Sequence, residues 1–262
     1  MQSLNKILTL TILSIPLLSN SNPFIQKLPF EEAIIEYTLS GNQKGVKTLY
    51  IKDYGLNRVI YQNSNSKLMT KASKNAKFII KTKKWIYRVS ENKNEALKVP
   101  NLSYLLYIAY KELKKPEQQQ VEENLKLLNS VPITNNKFKI IKNFTKIQDI
   151  PCDMIIKGSK KECYGYDGSL LLKSTTKIMG FSKNEIVSNI FKTKVDNKLF
   201  DISNLVIKDD KKQSLKLYKL SQELIDFLKI KLDIQKVFIK NSKLKKDYSQ
   251  IIQEGIKQLD RI

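Results

Sequence analysis

The sequence predicts an α+β protein: an antiparallel sheet with one face covered by helices, followed by a helical extension. Three observations predict it. Segments of alternating apolar and polar residues, separated by turn signals, recur between Ala33 and Val89. At Asn101 the apolar period changes to that of a helix. Alternation then returns at Phe138, and the chain closes on a long helical repeat.

Met1 to Ser21 has the parts of a secretory signal: Lys6, an apolar run from Ile7 to Leu18, then Ser19-Asn20-Ser21. The apolar run is shorter than the ~20 residues a membrane-spanning helix needs. Cleavage after Ser21 and export to a bacterial periplasm are expected. The organisation expected is a signal peptide over 1–21, a sheet domain over 22–215 and a C-terminal helical extension over 216–262.

Ala33, Ile35, Tyr37 and Leu39 share one face of a first strand, with Glu36, Thr38 and Ser40 on the other. Gly41 to Gly45 turns the chain into a return strand, Val46 to Lys52. Asp53-Tyr54-Gly55 turns again into Arg58 to Gln62. Lys67 to Ala72 and Lys77 to Ile80 are further short strands, and Lys81 to Lys84 is a polar turn before Trp85 to Val89. The result is a meander with one covered face.

The cover comes next. Leu102, Leu105, Leu106, Ala109 and Leu113 fall on one helical face. Pro116 suits the first turn of a second helix carrying Val121, Leu125 and Leu128, which ends before Pro132. Trp85 is expected to pack under the first helix. Tyr104, Tyr107 and Tyr110 recur every three residues there, either as core and rim packing or as the lining of a ligand hollow.

Phe138 to Ile147 returns to strand and leads into a stretch from Pro151 to Gly180 that holds both cysteines. A Lys157-Gly158 turn, flanked by Met154-Ile155-Ile156 and Leu170-Leu171-Leu172, reads as a hairpin. That turn sets Cys152 directly across from Cys163, within reach of a disulfide, the form expected after export; a reduced buried pair is the alternative. No Cys-x-x-Cys spacing points to redox chemistry. Glu185 to Phe191 and Leu199 to Val206 read as strands. Ser221-Gln222-Glu223-Leu224 opens the helical region. From Lys243 to Leu259 the residues Leu244, Tyr248, Ile251, Ile252, Gly255 and Leu259 mark an amphipathic helix, for packing on the body or for a membrane or partner.

Composition narrows the function. The net charge is +22, yet the chain has only three arginines, Arg58, Arg88 and Arg261. Nucleic-acid readers lean on arginine for bidentate contacts, so a nucleic-acid partner is not expected; lysines spread through every segment read as a solvated surface, with attraction to an anionic membrane surface as the alternative. There is no histidine, which removes the Ser-His-Asp and Cys-His systems and most zinc sites. Glu31-Glu32 and Asp209-Asp210 lack calcium-loop spacing, and Gly165 and Gly168 bracket Tyr166-Asp167 as a turn, not a phosphate loop. No catalytic residue, metal or cofactor is expected.

Several segments carry a resemblance: Tyr37-Thr-Leu-Ser-Gly41 with Gly45, Leu49-Tyr50-Ile51-Lys52-Asp53-Tyr54-Gly55, Trp85-Ile86-Tyr87, Cys152-Asp153-Met154, Cys163-Tyr164, and Lys173 with Met179-Gly180. Over about residues 30 to 206 the chain resembles exported bacterial proteins of unknown function built like the periplasmic lipoprotein carriers LolA and LolB. The resemblance implies a LolA-like fold: a strongly curved antiparallel β-sheet, a half-open barrel, its concave side closed by helices. Some relatives use that hollow for acyl chains. Tyr164-Gly-Tyr-Asp-Gly departs from the Tyr-Lys-Gly that relatives tend to keep.

Two functions fit these observations. One is a non-enzymatic periplasmic carrier of a lipid or lipoprotein, with Ile35, Tyr37, Leu49, Trp85, Leu105 and Leu106 as walls of the hollow and the helices from Leu102 to Asn129 as its lid. The other is a structural envelope protein with a filled core, acting through its basic surface and C-terminal helix.

Overall fold

The computed structural model describes residues 22–25, 27–68, 71–90, 92, 94–130, 134–135 and 138–231. The expected signal segment and the Lys243–Leu259 helix lie outside these residues. A 13-stranded sheet runs in the order β13-β6-β5-β4-β3-β2-β1-β12-β11-β10-β9-β8-β7. Its members are β1 (Ala33–Gly41), β2 (Gln43–Lys52), β3 (Asn57–Leu68), β4 (Lys71–Lys81), β5 (Trp85–Val89), β6 (Glu95–Pro100), β7 (Thr134–Asn135), β8 (Phe138–Ile147), β9 (Ile150–Lys157), β10 (Lys160–Gly165), β11 (Leu170–Ile178), β12 (Phe181–Phe191) and β13 (Val206–Asp209). Neighbours pair antiparallel, except β13, which lies parallel to β6. The sheet is curved and unclosed, and with its helices it makes an α+β fold.

The curvature shows in two contacts. Four strand spacings separate β3 from β11, about 19 Å if the sheet were flat. Yet Arg58 on β3 donates through Nη2 to the carbonyl of Ser169, just before β11, at 3.1 Å. Tyr37 on β1 likewise donates its hydroxyl across β12 to the carbonyl of Leu171 at 2.9 Å. The sheet curls far enough for opposite walls to touch.

Three helices, α1 (Leu102–Lys111), α2 (Lys115–Ser130) and α3 (Lys211–Leu228), fill the concave side. Asn101 starts α1 by accepting from the Ser103 amide, and its own amide group donates to the carbonyls of Thr82 and Lys83. The cap therefore pins α1 to the turn between β4 and β5. Pro116 occupies the first turn of α2, where Glu117 reaches back to the Lys114 amide. Asp210 caps α3 through the Gln213 amide, so this helix begins at Lys211, ten residues before the Ser221 start expected from the sequence. A boundary at residue 216 falls inside α3, and Leu217, Leu220, Leu224, Ile225, Phe227 and Leu228 join the same core as α1 and β1.

The other side of β2–β6 is not bare. Val59, Ile80, Tyr87, Val89 and Ala96 form a second cluster there, with Leu199, Phe200, Ile202 and Leu205 laid against it. The strand expected over Leu199 to Val206 is instead a short 3-10 turn, Asn197–Phe200, followed by β13. Its apolar residues are used by packing on the sheet face, not by strand alternation. The expectation of one covered face is thereby corrected: the doublets Val59-Ile60 and Ile79-Ile80 are buried on both sides.

Two hairpins are longer or more numerous than expected. Lys67–Ala72 and Lys77–Ile80 belong to one long β3–β4 hairpin, continuous in register from Arg58↔Lys81 to Leu68↔Lys71. In the cysteine stretch, Met154-Ile155-Ile156 pairs with β10, while Leu170-Leu171-Leu172 belongs to the next strand, β11. The β9–β10 register sets Lys157 against Lys160 and Cys163 against Met154, not Cys152. A slip of two residues keeps every side chain on its face. Cys152 and Cys163 are thus diagonal neighbours, and they are bonded, with a Cα–Cα distance of 5.5 Å.

Candidate functional site

A hollow of about 380 Å³ lies on the concave side of the sheet. Tyr37 (β1), Leu49 (β2) and Ile60 (β3) line its floor, Leu106 (α1) and Leu125 (α2) its roof, and Leu170 and Leu171 a side wall. Pro23, Phe24 and Ile25, ahead of the sheet, close one margin. Phe24 is held there by a T-shaped contact with Tyr110 and by its amide, which donates to Asn22 Oδ1.

Of the six wall residues predicted from the sequence, Tyr37, Leu49 and Leu106 border this hollow. Ile35 and Leu105 are buried in the packed core beside it. Trp85 is on the opposite face, with Tyr87, where Lys98 Nζ sits 4.6 Å from its ring centroid. The alternation of β5 sends Ile86 inward and its neighbours Trp85 and Tyr87 outward, so Trp85 does not pack under α1. The α1 tyrosines pack and do not border the hollow: Tyr110 donates its hydroxyl to Glu122 of α2, and Lys84 lies over Tyr104.

Sequence reasoning missed the polar end. Lys47, Arg58, Lys81 and Lys83 also border the hollow. They enter through the strand period: Lys47 shares a face with Leu49, Arg58 with Ile60, and Lys81 with Ile79. Lys47 pairs with Glu185 of β12 and lies 4.3 Å from the Tyr37 ring centroid. Burial, and then the nearby Glu185 carboxylate, push the Tyr37 hydroxyl pKa well up, so it stays a neutral donor.

Arg58 and Lys81 are directly opposite each other in the β3–β4 ladder. Two N–H groups of Arg58 are taken by carbonyls, Gly55 from Nε at 2.9 Å and Ser169 from Nη2. Among the described residues no carboxylate pairs with Arg58, Lys81 or Lys83. Burial, with Arg58 alongside, pulls the Lys81 ammonium down to about 7, and burial also lowers Arg58. Opposed like charges weaken a strand pair, so this end carries a cost that the apolar end does not. One signal could have found it: Arg58 is one of only three arginines in a lysine-rich chain and alternates with a buried isoleucine.

The arrangement suits binding. The described residues bring together no group of three or more His, Cys, Asp or Glu side chains that could hold a metal ion.

No family model matches the chain, and no curated protein does. Among solved structures it is similar to an uncharacterized conserved protein from Thermus thermophilus, at 7% identity and a TM-score of 0.38, covering 72% of this chain and 95% of that one. LprF from Mycobacterium bovis aligns over 64% of this chain and 88% of its own, at 9% identity and a TM-score of 0.25. A LolA superfamily protein from Nitrosomonas europaea aligns over 69% and 94%, at 10% identity and a TM-score of 0.24. These likenesses are distant and assign no function to this chain.

Proposed function

We propose that the chain is a non-enzymatic binding or carrier protein that takes an apolar or acyl-bearing ligand, such as a lipid or the acyl part of a lipoprotein, into the concave hollow. The observation that carries this is the hollow: an ordinary core packs to a density of about 0.75 with few voids larger than a water. A space of about 380 Å³ with leucine and isoleucine walls falls in the range of ligand sites. The disulfide supports an oxidising setting such as the periplasm.

A long-chain fluorescent fatty acid tests it. The expected result is micromolar binding that is lost in Leu106→Trp, since Leu106 is buried on α1 and faces the hollow. Indole bulk there narrows the space beside the proposed wall and leaves the charge unaltered. Binding that survives Leu106→Trp but vanishes in high salt would place the ligand on the lysine surface and sink the proposal.

A further inference from the structure

We infer that Arg58 and Lys81 form an anion-binding subsite at one end of the hollow, so that the ligand is an anionic amphiphile with a single carboxylate or phosphate head. The inference rests on the reading of the hollow as a binding site, and it goes further by assigning the head group. Three observations carry it.

The first is placement. Arg58 and Lys81 face each other across the β3–β4 ladder on the concave side, and both border the same space as Leu49, Ile60 and Leu106. Apolar walls and cationic groups thus meet in one cavity, the pattern an amphiphile requires. The second is orientation. The carbonyls of Gly55 and Ser169 hold the guanidinium from its Nε and from Nη2, which fixes its plane. Five N–H groups in a rigid fork leave three for a second partner, and such a fork matches a carboxylate or phosphate.

The third is charge balance. Glu185, the carboxylate buried on the neighbouring inner face, is already engaged by Lys47. Among the described residues nothing anionic offsets Arg58 and Lys81, and burial first, then the Arg58 charge, depress the Lys81 pKa. A bound anion would remove both costs at once. Lys83, also on the border of the hollow, adds to the same positive field.

The test compares two probes of equal chain length, a fluorescent fatty acid and the corresponding fluorescent fatty alcohol, with inorganic phosphate as a free anion. Wild-type protein is expected to bind the acid at least about tenfold more tightly than the alcohol, as for hydrogen bonds to a charged group. Lys81→Met should remove most of that difference between acid and alcohol. Arg58→Met should do the same. Because Arg58 also holds two carbonyls, its variant is scored only alongside a folded circular-dichroism spectrum, and Lys81→Met, which breaks no described hydrogen bond, carries the decision. Equal binding of acid and alcohol by wild type would overturn the head-group subsite and leave the hollow standing. Tight acid binding unchanged by Lys81→Met would overturn it too. Phosphate bound as tightly as the acid, with no alcohol binding, would make this a free-anion site and overturn both readings, as would binding of none of the three.

Discussion

The side-chain amide of Asn124, on α2, donates to the carbonyl oxygens of Leu228 and Ile230 at the end of α3, each at 2.7 Å. Asn124 is 1% exposed, so these carbonyls exchange water for a single buried side chain. Two helices distant in sequence are joined at a point where helix ends leave carbonyls unsatisfied. Asn124→Leu should cost about 2–3 kcal/mol, from two orphaned acceptors. Urea unfolding measures it; a midpoint equal to wild type would show that the contact contributes nothing.

Cys152 and Cys163 make a second cross-link, inside the sheet. Thiol counting on denatured, unreduced protein should find no free thiol. Replacing both by alanine should lower stability by about 3 kcal/mol, chiefly by freeing the unfolded chain. Two titratable thiols in freshly prepared protein would refute the bond.

Gly41 closes the β1–β2 turn at φ +92°, and a Cβ there would sit 2.5 Å from the carbonyl oxygen of Ser182 on β12. The neighbouring Asn42 exchanges two hydrogen bonds with Ser182, both 2.7 Å, so that backbone cannot retreat without losing them. Gly158 also has positive φ, +57°, but open space around it. Gly41→Ala should therefore destabilise by more than about 1 kcal/mol, and by clearly more than Gly158→Ala. Equal thermal midpoints for the two variants would contradict the steric argument.

Stability should also depend on pH through the cationic end. In the folded chain Lys81 loses its proton at about 7 and Lys77 at about 8, against 10.5 for an ordinary lysine, both through burial first. Between those values the unfolded chain binds more protons, so stability rises as pH increases from about 7 toward 10. The Tyr37 hydroxyl, raised in the fold, reverses the trend above its ordinary value of 10. Urea midpoints at pH 7, 8 and 9 should climb in wild type and climb less in Lys81→Met. Parallel slopes in the two proteins would count against the buried lysine.

Much of the frame was legible because it depends on local periodicity. The alternation of Ile35, Tyr37 and Leu39, the helical spacing of Leu102, Leu105 and Leu106, and Pro116 in a first turn each report a face or a start without reference to the rest of the chain. So does the shared face of Cys152 and Cys163, which a two-residue error in register could not alter. The same rule chose all six proposed walls, of which Tyr37, Leu49 and Leu106 border the hollow. Trp85 takes the other face, because an apolar residue on a sheet buried on both sides gives no sign of which face it takes.

By itself, then, the sequence determined which residues alternate, that two helices lie between Leu102 and Asn129, and that this chain carries no histidine. Only the tertiary structure decided what those faces meet. The curl that brings Arg58 to Ser169, the strap of Leu199 to Leu205 over the outer face, and the seating of α3 in the central core are contacts between segments far apart in the chain. No local period encodes them, since they depend on how strongly the sheet twists and on which apolar surfaces remain to be covered once neighbouring strands have paired. Arg58 and Lys81 are different: they meet as a pair within one hairpin and the strand period sets their face, so the tertiary structure decided only that an apolar hollow lies beside them.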